Sequence, residues 1–168
     1  GLFVKPPASD VATLLSKHSR IVMLSQIDNP TNVGAIMRSA QAFGFHGVVL
    51  DSETSDPFTR RALRVSMGTS FDASICRVAQ LAPVLDEFHA NGFTSCALTP
   101  ARDALNMAEL APIEKLILIL GSEREGLEAG VMNAATMRVR IPMAEGIDSL
   151  NVAAAAAVAC YGLTSRSG

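Results

Sequence analysis

Residues 115–120, KLILIL, form the segment of the sequence that most constrains the fold. Beyond its lysine the segment has no polar side chain to turn toward water, which is typical of a strand buried on both faces within a parallel sheet. Other short apolar runs alternate with helix-like segments on either side of it, and this order favours strands joined by helices. The sequence therefore predicts the α/β fold class, with a parallel sheet covered by helices on both faces.

The bounds of the expected elements follow from apolar runs, helix caps and breakers. The expected strands are residues 20–26, 47–51, 74–78, 93–98, 115–120 and 137–141. The expected helices are residues 10–18, 33–43, 57–68, 81–90, 104–110 and 128–134, followed by an alanine-rich helix. We expect residues 1–19 to be a linker and a short helix, ahead of one domain at residues 20–168.

The composition excludes several broad classes of protein. With 168 residues, 49% of them hydrophobic and 18% charged, the chain is long and apolar enough for a globular domain with a substantial core. Its net charge of −2 gives no general attraction to nucleic acid, so any such contact needs a local basic patch. The three cysteines have no CxxC spacing and lie in apolar runs, which favours reduced thiols in a cytoplasmic protein.

Several familiar catalytic and binding motifs are missing from the sequence. No GxGxxG follows the first strand, and Leu127 stands where a phosphate-binding loop would have its lysine. No HExxH or Cys/His cluster predicts a zinc site, and no GxSxG predicts a hydrolase. We therefore expect no metal site, no dinucleotide-binding loop of the GxGxxG type and no phosphate-binding loop.

Two segments combine small residues with polar ones at predicted strand-to-helix junctions. In the last one, IPMAEGIDSLNVAAAAAVACYGL at residues 141–163, Ser149 is expected to cap the alanine-rich helix, with Asn151 in its first turn. In DNPTNVGAIMRSAQAFG at residues 28–44, Asn32 is expected to cap a helix that carries Arg38. Taken singly, the alanines fit a buried core helix. The arginine, taken singly, fits a solvent-facing position as well as it fits a functional one.

A third polar segment follows the apolar strand described first. In LILGSEREGL, residues 118–127, Glu123 lies in a loop between two glycines. A single glutamate in a loop is usually a surface residue. However, the carboxyl ends of parallel strands share one edge of the sheet, where ligands bind in open α/β folds. The three polar segments are therefore expected to meet there.

Together, these segments resemble the three signature motifs of the SpoU (TrmH-like) branch of the SPOUT RNA methyltransferases. The first has the pattern N-x-x-N-x-G-A-x-x-R-x-A-x-x-F-G, the second G-x-E-x-x-G-L, and the third I-P-M-x-x-x-x-x-S-L-N-V followed by small residues. They occur in the family's order and spacing, and the resemblance covers roughly residues 20 to 164. The stretch RRALRVSMGTSF also resembles the family between motifs one and two.

The resemblance implies a parallel α/β domain whose C-terminal segment forms a deep trefoil knot, a feature that is very rare in other folds. The family binds S-adenosylmethionine in the knot, largely through backbone groups. Gly121, Ile141 and Leu150 match the cofactor-binding positions, and their expected neighbours are Thr99, Leu120, Met143 and Ser149. The small residues of the last helix suit such close packing.

The implied reaction is methyl transfer to a ribose 2′-hydroxyl of ribosomal or transfer RNA, in a homodimer and without a metal. Arg38 matches the family's activating residue, often supplied from across the dimer interface. Because arginine remains protonated in water, we expect Arg38 to clamp an RNA phosphate and stabilise the developing alkoxide, not to act as a base. Asn32, Glu123, Ser149 and Asn151 match the polar positions that orient Arg38, the ribose or the loops.

RNA contact is expected at Arg38 and at Arg60, Arg61 and Arg64, since helical spacing can place Arg60 and Arg64 on one face. The alternative is a solvated helix surface. An arginine patch would bind phosphate without choosing a sequence, so specificity is expected to depend on an upstream RNA-binding domain. Arg124 departs from the family pattern, which often has glycine there, and would be strained if the position required a positive φ.

Two other functions are compatible with the same segments. A non-catalytic RNA-binding or dimerisation module on this fold would bind RNA without transferring a methyl group. A small-molecule-binding α/β domain would bind the cofactor without RNA affinity. Arg38, Glu123, Ser149 and Asn151 favour the enzyme over the non-catalytic module.

Overall fold

The computed structural model describes residues 4–147 and 149–164 of the chain. Within these residues, seven strands form one sheet: β1 Arg20–Leu24, β2 Gly47–Leu50, β3 Ser74–Arg77, β4 Thr94–Leu98, β5 Leu105–Asn106, β6 Leu116–Leu120 and β7 Met137–Arg140. The strand order is β3-β2-β1-β6-β4-β7-β5, and all neighbouring strands run parallel. The predicted parallel α/β architecture is confirmed, and the KLILIL segment supplies the central strand.

The helices described by the structure lie before the first strand, between strands and after the last strand. They are α1 Val11–Lys17, α2 Pro30–Ala42, α3 Arg60–Val65, α4 Ala82–Ala90, α5 Ala129–Ala134 and α6 Val152–Thr164, with single 3-10 turns at Thr69–Asp72 and Met107–Glu109. None of these helices is long and apolar enough to cross a membrane.

β6 divides the hydrophobic core into two layers, because successive side chains of a strand point to opposite faces of a sheet. Leu116, Leu118 and Leu120 belong to the layer that contains α2 and α6. Ile117 and Ile119 belong to the other layer, with α1, α4 and α5. All five side chains are buried, so neither face of the strand needs a polar residue.

Two expected helices differ from the structure. Residues 104–110 form the two-residue strand β5 and one 3-10 turn, because β5 pairs with β7 and Asn106 accepts a hydrogen bond from the backbone N–H of Ala108 at 3.0 Å. The helix expected at 57–68 begins at Arg60. The side chain of Asp56 accepts from the backbone N–H of Phe58 at 2.9 Å, which makes a turn of the residues where the helix was expected to begin.

Both expected caps of the motif helices were wrong. Asn29 caps α2 by accepting from the backbone N–H of Thr31 at 2.9 Å, so Asn32 lies inside the first turn. Asn151, not Ser149, caps α6, since its side-chain oxygen accepts from the backbone N–H groups of Ala153 and Ala154 at 3.0 and 3.3 Å. In each case a cap-forming residue lies near the expected one, and the chain uses the alternative.

Candidate functional site

A cavity of about 360 Å³ opens at the carboxyl ends of β4, β6 and β7, and we call it the β6 cavity. Its walls come from the ends of β4 and β6, the loop 121–127, the segment after β7 and the start of α6. The seven residues expected to bind the cofactor all line it: Thr99, Leu120, Gly121, Ile141, Met143, Ser149 and Leu150. The structure thus brings together residues from three distant parts of the sequence.

The loop after β6 is tightly folded against its own beginning. Ser122 and Gly126 exchange two backbone hydrogen bonds, at 3.1 and 3.0 Å, and Gly126 adopts a φ of +71°. A Cβ at Gly121 would lie 2.4 Å from the backbone of Gly126, so only glycine fits there. Arg124 is not among the described residues with positive φ, and the strain considered for it does not arise.

Polar residues of the three motifs meet in one hydrogen-bonded network. The side-chain amide of Asn151 donates to the side-chain oxygen of Asn32 at 3.2 Å and also to Glu123 Oε1. The backbone N–H of Val152 donates to the same Glu123 oxygen at 3.2 Å. Asn32 is buried at the base of this network, whereas Glu123 and Asn151 are exposed.

The network lies at the first turn of α6. A carboxylate is favourable there, because the free backbone N–H groups of a helix N-terminus carry partial positive charge. Asn151 combines two roles, since its oxygen caps α6 and its N–H₂ group joins Asn32 to Glu123. The beginning of α6 is consequently held by Asn32 of the first motif and by Glu123 of the second.

A second and larger opening lies beside the β6 cavity, at the carboxyl ends of β1, β2 and β3. We call it the β1 groove; its volume is about 790 Å³. Residues 122–125 and Val152 line both openings, and Asn32 lines the groove. The Asn32–Asn151–Glu123 network therefore stands where the two openings meet.

Asp51 and Gln26 organise the floor of the groove, and neither was predicted from the sequence. The buried carboxylate of Asp51 accepts from the backbone N–H of Gln26 at 2.8 Å, from Ser25 Oγ at 3.2 Å, and from the backbone and side chain of Thr54 at 2.8 and 2.7 Å. Gln26 adopts a φ of +56°. The one available signal was an acidic residue at the end of an apolar strand.

The expected RNA-contacting arginines lie outside both openings. Arg60, Arg61 and Arg64 come together at a shallow surface concavity of about 460 Å³. Arg61 Nε donates to Thr31 Oγ1 at 2.6 Å, which ties this patch to the first turn of α2. Arg38 is exposed and lines neither the cavity nor the groove. Six residues separate it from Asn32, and in a helix this spacing turns the two side chains to different sides.

Among the described residues, no group of three or more His, Cys, Asp or Glu side chains is placed to hold a metal ion. Cys76, Cys96 and Cys160 are buried free thiols. Burial raises the pKa of Cys96 and of Cys160 to about 12. These thiols pack in the core and lack the lowered pKa of a reactive cysteine.

The model of the SpoU rRNA methylase family matches residues 19–161, so the chain belongs to that family. An uncharacterized tRNA/rRNA methyltransferase of Mycobacterium tuberculosis is 37% identical over 165 residues, which cover 96% of this chain and 57% of that protein. The chain thus spans a little over half the length of the curated relatives it matches. The resemblance of the three motifs is confirmed at the level of the family.

Solved structures show the same fold. An S-adenosylmethionine-bound rRNA methyltransferase from Sinorhizobium meliloti is 28% identical, with a TM-score of 0.84, over 96% of this chain and 62% of the other. An RNA 2′-O ribose methyltransferase is also 28% identical, with a TM-score of 0.76, over 99% of this chain and 59% of the other. Both likenesses extend across the sheet and the candidate site.

Proposed function

We propose that this chain is the catalytic domain of an S-adenosylmethionine-dependent methyltransferase that modifies a ribose 2′-hydroxyl of ribosomal or transfer RNA. The observation that carries the proposal is the meeting of all three motifs where the β6 cavity joins the β1 groove. A relative solved with S-adenosylmethionine and another named as a 2′-O ribose methyltransferase support the cofactor and the reaction.

The lining of the β6 cavity suits S-adenosylmethionine. Its volume is within the range of small-molecule sites, roughly 300–1,000 Å³. Leu120, Ile141 and Leu150 offer apolar walls for an adenine ring, and the loop beginning at Gly121 brings backbone groups to the surface of the cavity. Bound there, the cofactor supplies a methyl group already activated by the sulfonium charge.

The chain's own contribution is to hold the ribose and ease loss of the hydroxyl proton. The Asn32–Asn151–Glu123 network offers both hydrogen-bond donors and acceptors at the junction of the two openings. Ser149 lines the same cavity and adds a hydroxyl. Arg38 clamps the RNA phosphate and stabilises the alkoxide that develops during transfer.

The position of Arg38 supports a homodimer in which each site is completed by the partner. Arg38 faces solvent and is absent from the lining of its own chain's cavity and groove. On α6, Val158 and Tyr161 are 41% and 60% exposed. A second copy packed on this side would cover these side chains and could bring its own Arg38 to the junction.

We also propose that the segment after β7 forms the family's trefoil knot with the loop 121–127. The two segments, one after β6 and the other after β7, line the same cavity, and α6 follows directly. In the first eight residues of α6, no side chain is larger than valine, and such small side chains allow close packing. A deep knot would hold the cofactor-binding loops in fixed positions.

RNA would approach across the patch formed by Arg60, Arg61 and Arg64, which is placed beside α2 by the bond from Arg61 to Thr31. These cations supply local attraction to phosphate in a chain whose net charge is −2.

We propose that an upstream RNA-binding domain adds sequence choice and that the protein works in the cytoplasm. The short helix α1 packs on the sheet through the fully buried Leu14.

Methyl transfer tests the proposed reaction directly. The purified chain would be incubated with S-adenosylmethionine carrying a labelled methyl group and with unmodified ribosomal or transfer RNA, followed by digestion to nucleosides. We expect label in a 2′-O-methylnucleoside. Label on a base would contradict the ribose assignment, and RNA binding without label would favour the non-catalytic module.

A further inference from the structure

The β1 groove has the size and position of a site for the acceptor nucleotide. Its volume of about 790 Å³ exceeds that of the β6 cavity, and the two share the loop residues 122–125. If the cofactor occupies the cavity, a ribose at the junction has its base directed either into the groove or out to solvent. This inference rests on the proposed function and asks which part of the RNA fills the groove.

A strained residue points across the groove. Gln26 has a φ of +56°, a conformation that residues other than glycine adopt rarely. The hydrogen bond from its backbone N–H to the buried Asp51 holds it there, and its side-chain Nε2 donates to Glu128 Oε1 at 2.5 Å. Both Gln26 and Glu128 line the groove. Strain that the surrounding structure maintains in this way is common where a side chain must be aimed at a ligand.

The charges around the groove favour a nucleobase over a phosphate. Asp28, Glu53 and Glu125 line it together with Glu128, and these carboxylates would repel an anion. Arg124 lines both openings, so a phosphate has a cation at the junction. A base that enters the groove therefore meets carboxylate acceptors at several points, beside neutral amide and hydroxyl groups.

We propose that the β1 groove holds the base of the acceptor nucleotide, and that Glu128, oriented by Gln26, is a specificity-determining residue that favours guanine. A carboxylate has about four lone-pair sites, so one bond from Gln26 leaves it able to accept two more. Guanine presents two neighbouring N–H donors on its base-pairing edge. On the other bases that edge places an acceptor beside each donor group, where a carboxylate would be repelled.

Binding of nucleoside monophosphates tests the assignment. GMP, AMP, CMP and UMP would each be titrated into the chain at saturating S-adenosylhomocysteine. We expect GMP to bind about tenfold more tightly than the other three, as for other bidentate contacts to a base. Glu128→Gln should lose this preference, because an amide offers one acceptor where the carboxylate offered two.

Glu114→Gln is the matched control. Glu114 is exposed and precedes β6, at the opposite end of the strand from both openings, so this variant should keep the wild-type preference for GMP. Equal affinity of the wild-type chain for the four nucleotides would overturn the proposal. So would an unchanged GMP preference in Glu128→Gln.

Failure of the inference is distinguishable from failure of the proposed function. If S-adenosylhomocysteine binds and RNA is methylated, but the labelled product is not 2′-O-methylguanosine, only the assignment of Glu128 falls. If neither S-adenosylhomocysteine binding nor transfer is observed, the proposed function falls as well. Labelled 2′-O-methylguanosine whose yield drops in Glu128→Gln but not in Glu114→Gln supports both.

Discussion

Asn32 and Asn151 are 119 residues apart in the sequence, yet their side chains are joined by a hydrogen bond of 3.2 Å. The bond connects the first turn of α2 with the cap of α6, and Glu123 binds the same Asn151 amide. The three motifs are therefore parts of one structural unit. Disturbing Asn151 should affect both the stability of α6 and the geometry of the candidate site.

Replacing Asn151 with alanine should reduce the free energy of unfolding by about 1 kcal/mol through loss of the cap. It also leaves the buried side chain of Asn32 without this donor, at a further cost of about 1 kcal/mol. Urea unfolding measures the sum. Asn151→Ser is the matched variant, because serine can cap α6 but lacks the amide donor. It should recover the cap contribution yet transfer methyl groups as poorly as the alanine variant, and equal stability of the two variants would contradict the capping role.

Gly121→Ala should abolish binding of S-adenosylhomocysteine. The new Cβ would lie 2.4 Å from the backbone of Gly126, so the loop that lines the β6 cavity must move. Gly130→Ala is the control, since a Cβ there meets open space in α5 and should stabilise the chain by about 0.5–1 kcal/mol. Calorimetric titration of both variants with S-adenosylhomocysteine tests this prediction. Normal binding by Gly121→Ala would show that cofactor binding does not require the tight loop.

The buried cysteines predict a loss of stability in alkaline solution. Burial raises the pKa of Cys96 and Cys160 from the ordinary value of 9.0 to about 12. Above about pH 9 the unfolded chain ionises these thiols while the folded chain keeps them protonated, so stability falls as the pH rises from 9 toward 12. Below pH 9 both states are protonated and the contribution is constant.

The free energy of unfolding, measured by urea at pH 8 and pH 10, tests this dependence. Other groups titrate in the same range, so the comparison is with the double variant Cys96→Ala and Cys160→Ala, which lacks both thiols. We expect the wild-type chain to lose more stability between the two pH values than the variant does. Parallel losses would mean that the thiols are less well buried than the structure describes.

Arg38→Ala should eliminate methyl transfer while leaving S-adenosylhomocysteine binding and stability near wild type, because Arg38 is exposed and lines neither opening. Lys17→Ala, at the end of α1, removes a cation elsewhere and should keep full activity.

Mixing Arg38→Ala with Gly121→Ala tests whether the arginine of each site comes from the same chain or from the partner. If each site uses the partner's Arg38, mixed dimers regain one complete site, whereas an arginine acting within its own chain gives no recovery.

The sheet could be predicted from sequence because each long strand is a contiguous apolar run. β5 could not, since it has two residues and exists only through pairing with β7. Capping was predicted at the wrong residues because Asn29 and Asn32, like Ser149 and Asn151, have similar local preferences. Tertiary contacts decide between them, as the bond from Asn151 to Asn32 shows.

The seven cofactor-binding residues expected from the motif resemblance all line the β6 cavity. The β1 groove was not predicted. Its floor depends on Asp51 and on the left-handed backbone of Gln26, and no local pattern reports such a conformation in a residue other than glycine. The separation of Arg38 from Asn32 was also missed, because a motif gives spacing along a helix without showing which neighbours cover each face.

Calorimetric titration of the purified chain with S-adenosylhomocysteine tests the central assignment most directly. We predict saturable binding near one site per chain, abolished by Gly121→Ala and retained by Arg38→Ala. Absence of binding by a wild-type chain that circular dichroism shows to be folded would contradict the assignment of the β6 cavity to the cofactor.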